Sequence, residues 1–143
     1  MPTPVQQFAA APSAEAAAHF QRKLRFETDC WDVHASMAQD SSAFVLLDVR
    51  SGDLYAAGHV PGAINLPHGK IVAGKLHSYP LQTLFVVYCA GPHCNGADKA
   101  AARLAALGRP VKLMIGGVTG WLDKGFALAS SPAPASLTQV GSD

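Results

Sequence analysis

Charge is scarce in this chain. Asp, Glu, Lys and Arg make up 15% of its 143 residues, and eleven basic against ten acidic side chains leave a formal net charge of +1. No run of Lys or Arg stands out, so the footprint of a nucleic-acid binder is missing and partners should be small molecules. Cysteine is scarcer still. Three residues, an odd number at irregular spacing, make no disulfide framework and fit a reduced, cytoplasmic setting. No apolar run is long enough to span a bilayer, and the N-terminus lacks a basic start followed by an unbroken apolar segment. Neither membrane insertion nor secretion is expected. What is plentiful is hydrophobic side chain, 49% of the total, enough in a chain of this length for one ordinary core and not for two.

The most informative stretch runs from Leu84 to Gly96. Leu84-Phe85-Val86-Val87-Tyr88 is an unbroken apolar and aromatic run, the pattern of a parallel strand buried on both faces, and Cys89 closes it. Ala90-Gly91-Pro92-His93-Cys94-Asn95-Gly96 carries two glycines, a proline and an asparagine, which predicts a compact loop. Ala97 to Leu107 then has the apolar spacing of one helical face, with Gly108 as its stop. A cysteine is thereby set at the C-terminal end of a strand, facing a curled loop and a helix N-terminus, the edge of an α/β sheet where ligands bind. Loop amides and the helix dipole would favour a Cys89 thiolate and hence a nucleophile. A buried free cysteine acting as a small hydrophobe is the competing reading.

The remaining segments alternate between helix and strand. Met1 to Ser13 reads as a frayed lead-in, and Ser13 as the cap of a helix from Ala14 to about Arg25 that packs outside the domain or on a second copy. A short strand is expected at Phe26 to Thr28, followed by a helix capped by Asp29 that runs through Trp31, Val33 and Met37. Cys30 and His34 stand one turn apart there, but two ligands make a weak metal site and core packing is expected of both. Phe44 to Leu47 is a second buried strand ending in Asp48-Val49-Arg50, whose two charges leave on one side and can brace adjoining loops. A short helix follows at Ser51 to Ala57, then a turn at Gly58 to Ala63 in which His59 is expected to hydrogen-bond locally. Ile64 to Pro67 reads as a short strand, and His68 to Leu81 as loop with one helical turn. Val111 to Ile115 is the last strand, Gly116-Gly117 permits a close backbone approach, and a short helix around Trp121 to Lys124 anchors Trp121 in the core. The tail is poor in large apolar groups and should be disordered. The domain plan is an N-terminal extension over 1–25, one domain over 26–127 and a flexible tail over 128–143, the domain being α/β with an open, mainly parallel five-stranded sheet covered by helices on both faces.

Asp48-Val49-Arg50, Gly58-His59-Val60-Pro61-Gly62-Ala63-Ile64-Asn65, Val87-Tyr88-Cys89 and Gly116-Gly117-Val118-Thr119-Gly120-Trp121 occur in the order and separation of the rhodanese-like domain, which the chain resembles from about Phe26 to Phe126. The resemblance implies a sulfurtransferase: Cys89 attacks a sulfane-sulfur donor such as thiosulfate, becomes a persulfide, and yields the sulfur to cyanide, a thiol or a sulfur-accepting protein. It implies no metal and no organic cofactor, and Asp48, Arg50 and His59 are then structural support. The loop departs from the family pattern. It has no Lys or Arg, is about two residues longer than is common, and has Asn95 where the related phosphatases and arsenate reductases place an oxyanion-clamping arginine. Phosphoryl and arsenate chemistry are therefore disfavoured, thiosulfate should be held loosely, and His93 and Lys99 are the nearest substitutes for the missing charge.

Cys94 adds an open choice. It could attack a Cys89 persulfide, form a disulfide and release hydrosulfide or hand the sulfur onward, or it could be a free thiol facing the loop wall. A zinc site from Cys89, His93 and Cys94 would consume the nucleophile and lacks a fourth ligand. Two functions of different class follow: a persulfide-forming enzyme, and a non-catalytic binding or redox-sensing module that uses Cys89 and Cys94. Neither involves nucleic acid or membrane, and a homodimer is compatible with both.

Overall fold

The computed structural model describes residues 1–131. Five short parallel strands form one sheet in the order β1-β5-β4-β2-β3, with β1 at Glu27–Thr28, β2 at Val45–Asp48, β3 at Ile64–Asn65, β4 at Phe85–Tyr88 and β5 at Val111–Met114. The open five-stranded parallel sheet expected from the alternating segments is the one observed. Central β4 pairs with β2 on one side (Leu47 with Val87, Asp48 with Tyr88) and with β5 on the other (Val87 with Leu113). All four of its residues are buried, as the unbroken apolar run requires of a strand with both faces covered.

Strand alternation divides the core in two. Phe85, Val87 and Cys89 face helix α5 (Gly96–Ala106), where they meet Ala97, Ala100 and Leu104 together with Leu47, Ile71 and Leu76. Val86 and Tyr88 face the other layer, built on α2 (Cys30–Gln39) and α6 (Gly117–Asp123), with Cys30, Val33, Val60 and Trp121. The even spacing of the strand thus sends Cys89 to the α5 side without any further constraint. Asp29 caps α2 by accepting from the Asp32 amide at 2.9 Å, and Ser51 caps α3 (Gly52–Ala57) in the same way through Leu54.

Helix α1 (Ser13–Phe26) lies against the β1–β5 edge with no buried side chain, leaving Phe20 and Leu24 exposed. Its cap differs from the one expected: Pro12 holds the N-cap position and no side chain caps the helix, because the proline's fixed φ already sets the entry. Residues 68–81 hold a 3-10 turn at His68–Lys70 and helix α4 (Ala73–Leu76), more helix than Gly69 and Gly74 suggest, with Leu76 buried as the anchor. His34 is not core-packed like Cys30. Its exposed ring stacks on Phe126 at 3.9 Å between centroids, since position 34 falls on the rim of α2.

The expected flexible tail from 128 onward is corrected at its start. His59 and Ala129 form an antiparallel bridge, the Ser131 amide donates to the Ala56 carbonyl, and Leu128 packs on the α2/α6 core. Positions 132–143 lie outside the described residues. Among the described residues no helix is long and apolar enough to cross a membrane.

Candidate active site

Cys89 is the first residue beyond β4, 6% exposed, and lines a cavity of about 230 Å³ whose walls also include Cys94, Glu27, Asp98, Leu113, Ile115 and Gly117. The cavity sits at the C-terminal edge of the sheet, bounded by the Cys89 loop, the start of α5 and the end of β5. Its ionisable walls are Glu27 and Asp98, and no Lys or Arg is among them. Glu27 is paired with Lys23 one helical turn away. His93 and Lys99, the expected substitutes for a loop arginine, are exposed and do not line the cavity, because both point outward from the loop and from the first turn of α5.

The loop is held at its start from below. The Val118 amide donates to the Cys89 carbonyl at 3.1 Å and the Thr119 amide to the Ala90 carbonyl at 3.0 Å, with the Thr119 hydroxyl reaching the same oxygen at 3.2 Å. These contacts need Gly117, whose φ of +58° is left-handed and whose hydrogen faces the Cys89 carbonyl so closely that any Cβ would collide with it. The Gly-Gly-Val-Thr-Gly segment therefore positions the backbone of Cys89 and Ala90. Its sequence signal was legible, but the partner of its close approach was not. A turn closed by the Cys94 amide on the Gly91 carbonyl, at 3.1 Å, then brings the loop back on itself.

That return pairs the sulfurs. Cys89 and Cys94 form a disulfide with 6.5 Å between their Cα atoms. Of the two readings left open for Cys94, the free thiol against the loop wall is corrected by it. The expected convergence of loop amides on the Cys89 sulfur is not seen in this disulfide state, where among the described residues no amide donates to that sulfur. The Gly96 amide, at the N-terminus of α5, donates instead to the Cys94 sulfur at 3.4 Å. The longer loop gives the chain enough reach for Cys94 to occupy the focus of that helix end. Joined to each other, the two cysteines are not available as a zinc pair with His93, and among the described residues no group of three His, Cys, Asp or Glu side chains is placed to hold a metal.

Gly96 lies at the centre of the arrangement. A Cβ there would come 2.9 Å from the Cys89 sulfur and 3.4 Å from both the Cys94 sulfur and the His68 ring. His68 is thus a neighbour of the pair that sequence spacing did not reveal. Its Nδ1 is buried without a protein partner.

On the opposite face, Asp48, Arg50 and Tyr88 form a buried network. Arg50 donates to both Asp48 oxygens (2.7 Å for the Nη2 contact) and to the Gly58 carbonyl at 2.6 Å, while the Tyr88 hydroxyl donates to Asp48 at 2.8 Å and accepts from the Val60 amide at 3.0 Å. Burial would pull the Arg50 pKa down, but the hydrogen bond and charge of Asp48 outweigh it and the net shift is upward. The Tyr88 phenol is pushed well above its usual range, first by burial and then by the adjacent Asp48 charge. His59 stacks on Tyr55 and places Nδ1 2.7 Å from the Tyr55 carbonyl. These residues tie the 58–65 turn to the ends of β2 and β4, and none of them lines the cavity. Cys30, the third cysteine, is buried on the α2 side with its thiol pKa raised by burial and by the Asp29 charge.

Comparison with known proteins agrees with this architecture. The crystal structure of a Bacillus halodurans protein superposes with a TM-score of 0.81 at 34% identity, covering 84% of this chain and 88% of that one. The solution structure of a rhodanese-like domain from Anabaena gives 0.65 at 26% identity, over 82% and 86% of the two chains. An HTH-type transcriptional regulator of Mycobacterium tuberculosis is 35% identical over 83 residues, which are 58% of this chain and only 36% of the regulator. The sequence pattern of the rhodanese-like domain matches residues 30–124, from the start of α2 to the end of α6. A cysteine-bearing loop at the end of a central parallel strand, on this sheet and with this match, places the chain in the rhodanese-like domain family.

Proposed function

We propose that this chain is a sulfurtransferase in which reduced Cys89 takes a sulfane sulfur from a small donor and passes it, as a persulfide, to a thiol or cyanide. The observation that carries this reading is the seat of Cys89: strand-anchored, at the sheet edge, and in the wall of a cavity large enough for a small donor. The cavity's charge narrows the donor. Asp98 and the Lys23-paired Glu27 line it and no Lys or Arg does, so it offers a dianion such as thiosulfate no cationic partner and tolerates an uncharged or zwitterionic persulfide.

The test removes the disulfide partner first, so that any sulfur gained cannot be lost within the loop. Reduced Cys94→Ser protein treated with a low-molecular-weight persulfide should gain one sulfur atom by intact mass and deliver it to cyanide as thiocyanate, while the Cys89→Ser, Cys94→Ser double variant gains none. No gain on either protein ends the proposal.

A second reading, a redox-sensing or binding module, is favoured by the Cys89–Cys94 pairing and by the likeness to part of a transcriptional regulator. It calls for oxidation of the pair without sulfur transfer to any acceptor.

A further inference from the structure

We propose that Cys94 is a resolving thiol, which attacks the inner sulfur of a Cys89 persulfide and expels the outer sulfur as hydrosulfide, so that the domain reduces persulfides at the expense of an external dithiol. The proposal rests on the Cys89 persulfide of the preceding section. It adds a second nucleophile, a different product and a class of reductant.

Three observations carry it. The Cys94 sulfur is joined to the Cys89 sulfur itself, so the loop already permits the approach that the attack requires. In a Cys89 persulfide that atom is the inner sulfur. Attack there yields a disulfide and hydrosulfide, whereas attack on the outer sulfur would merely move the persulfide to Cys94. Next, the amide at the first position of α5, an eleven-residue helix, is donated to Cys94 and not to Cys89. In the reduced protein that contact and the helix dipole favour the Cys94 thiolate, the form that attacks. Finally, Cys89 and Cys94 both line one cavity, which gives the hydrosulfide a way out and a dithiol a way in.

The chemistry balances. Cys94–S⁻ and Cys89–S–SH give the Cys89–Cys94 disulfide and HS⁻: one S–S bond forms, one breaks, and the electron pair of the broken bond leaves on the outer sulfur. That sulfur gains one electron and the Cys94 sulfur loses one, while the Cys89 sulfur keeps its oxidation state and exchanges one S–S partner for another. Reduction by a small dithiol, which closes to its own cyclic disulfide, then restores both thiols and allows another turn.

The experiment is a single turnover without oxygen or added reductant. Fully reduced wild-type chain and Cys94→Ser each receive one equivalent of a low-molecular-weight persulfide, and hydrosulfide is trapped by alkylation while the protein mass is read. Wild type should release hydrosulfide in proportion to protein and end two hydrogens lighter than its reduced form. Cys94→Ser should keep the added sulfur on Cys89 and release hydrosulfide more slowly by roughly an order of magnitude or more. Wild type without persulfide should stay reduced. If wild type instead accumulates the same stable persulfide as Cys94→Ser and releases no excess hydrosulfide, Cys94 is not a resolving thiol, though Cys89 remains the sulfur carrier. Failure of Cys94→Ser to take up sulfur removes the persulfide itself and with it both proposals. Cys94→Ala serves as the second variant should serine disturb the loop, and both are checked for native circular dichroism.

Discussion

Asp48 shows what one buried charge demands of its surroundings. It is completely buried and is the shared acceptor for Arg50 and Tyr88. Asp48→Ala leaves a buried guanidinium and a buried phenol without their partner, and by the usual cost of breaking such a pair should lower the unfolding free energy by about 3–5 kcal/mol, read from urea or guanidinium titration. A loss no larger than that of an ordinary surface substitution would show that the network carries little. Tyr88 adds a pH dependence of defined sign. Its phenol is held neutral in the fold and ionises near pH 10 once unfolded, so the unfolded chain releases a proton that the folded chain keeps. Stability should therefore be level with respect to this group below about pH 10 and fall as pH rises beyond it. Denaturant titrations through the alkaline range should show a shallower fall in Tyr88→Phe, on a lower starting stability, and equal slopes in the two proteins would refute the assignment. At this scale the braces were legible in the sequence but their hub was not: Asp48 and Arg50 are adjacent enough to be matched by spacing, whereas Tyr88 lies forty residues away and joins them only because β2 and β4 are register partners.

Among the elements, the turn between β5 and α6 governs the loop that bears Cys89. Two left-handed glycines, one in this turn and one before β5, separate strain from collision. Gly108, at the end of α5, has φ +79° with nothing within 4 Å of an added Cβ, while Gly117 has φ +58° with the Cys89 carbonyl in the way. Gly108→Ala should cost about 1 kcal/mol, the price of the backbone conformation alone. Gly117→Ala should cost at least about twice that, since the clash adds to the strain, and should also slow sulfur uptake by displacing the carbonyl that Val118 holds. Thermal unfolding of the two variants beside wild type, with the uptake assay on each, separates the effects. Equal losses and unchanged uptake would show that the loop yields without consequence. Strands β2 and β4 were legible because unbroken apolar runs of four or five residues have few other fates, and β5 because its apolar residues, interrupted by Lys112 alone, sit between Pro110 and Gly116. The bridge between His59 and Ala129 was not, because a single pair of backbone hydrogen bonds leaves no periodic trace.

For the molecule as a whole, the proposed preference for an uncharged donor rests on charges brought from separate parts of the chain. Glu27 comes from β1 and Asp98 from the first turn of α5, seventy-one positions apart, and only the sheet order β1-β5-β4 puts them around one cavity. Asp98→Asn should raise kcat/KM for thiosulfate by roughly two- to fivefold at low ionic strength, an effect that shrinks with added salt, while the rate with an uncharged alkyl persulfide stays level. Steady-state thiocyanate formation measures both, and equal changes for the two donors would remove electrostatic selection from the account. Helix α1 contributes nothing buried to this assembly, so the site depends on the sheet and its two helical layers.

By itself the sequence determined the class of the fold, the position of Cys89 at a strand end and the absence of a cation from its loop, because each follows from local pattern: runs of apolar residues, their bounding turns, and the identity of seven consecutive side chains. Only the tertiary structure decided that Cys94 and not Cys89 receives the α5 amide, that the two sulfurs meet, and that acidic walls surround them. Those outcomes depend on how a flexible loop closes against Gly117 and on which strands lie side by side, and distances across a fold are set by packing among residues that the chain keeps far apart.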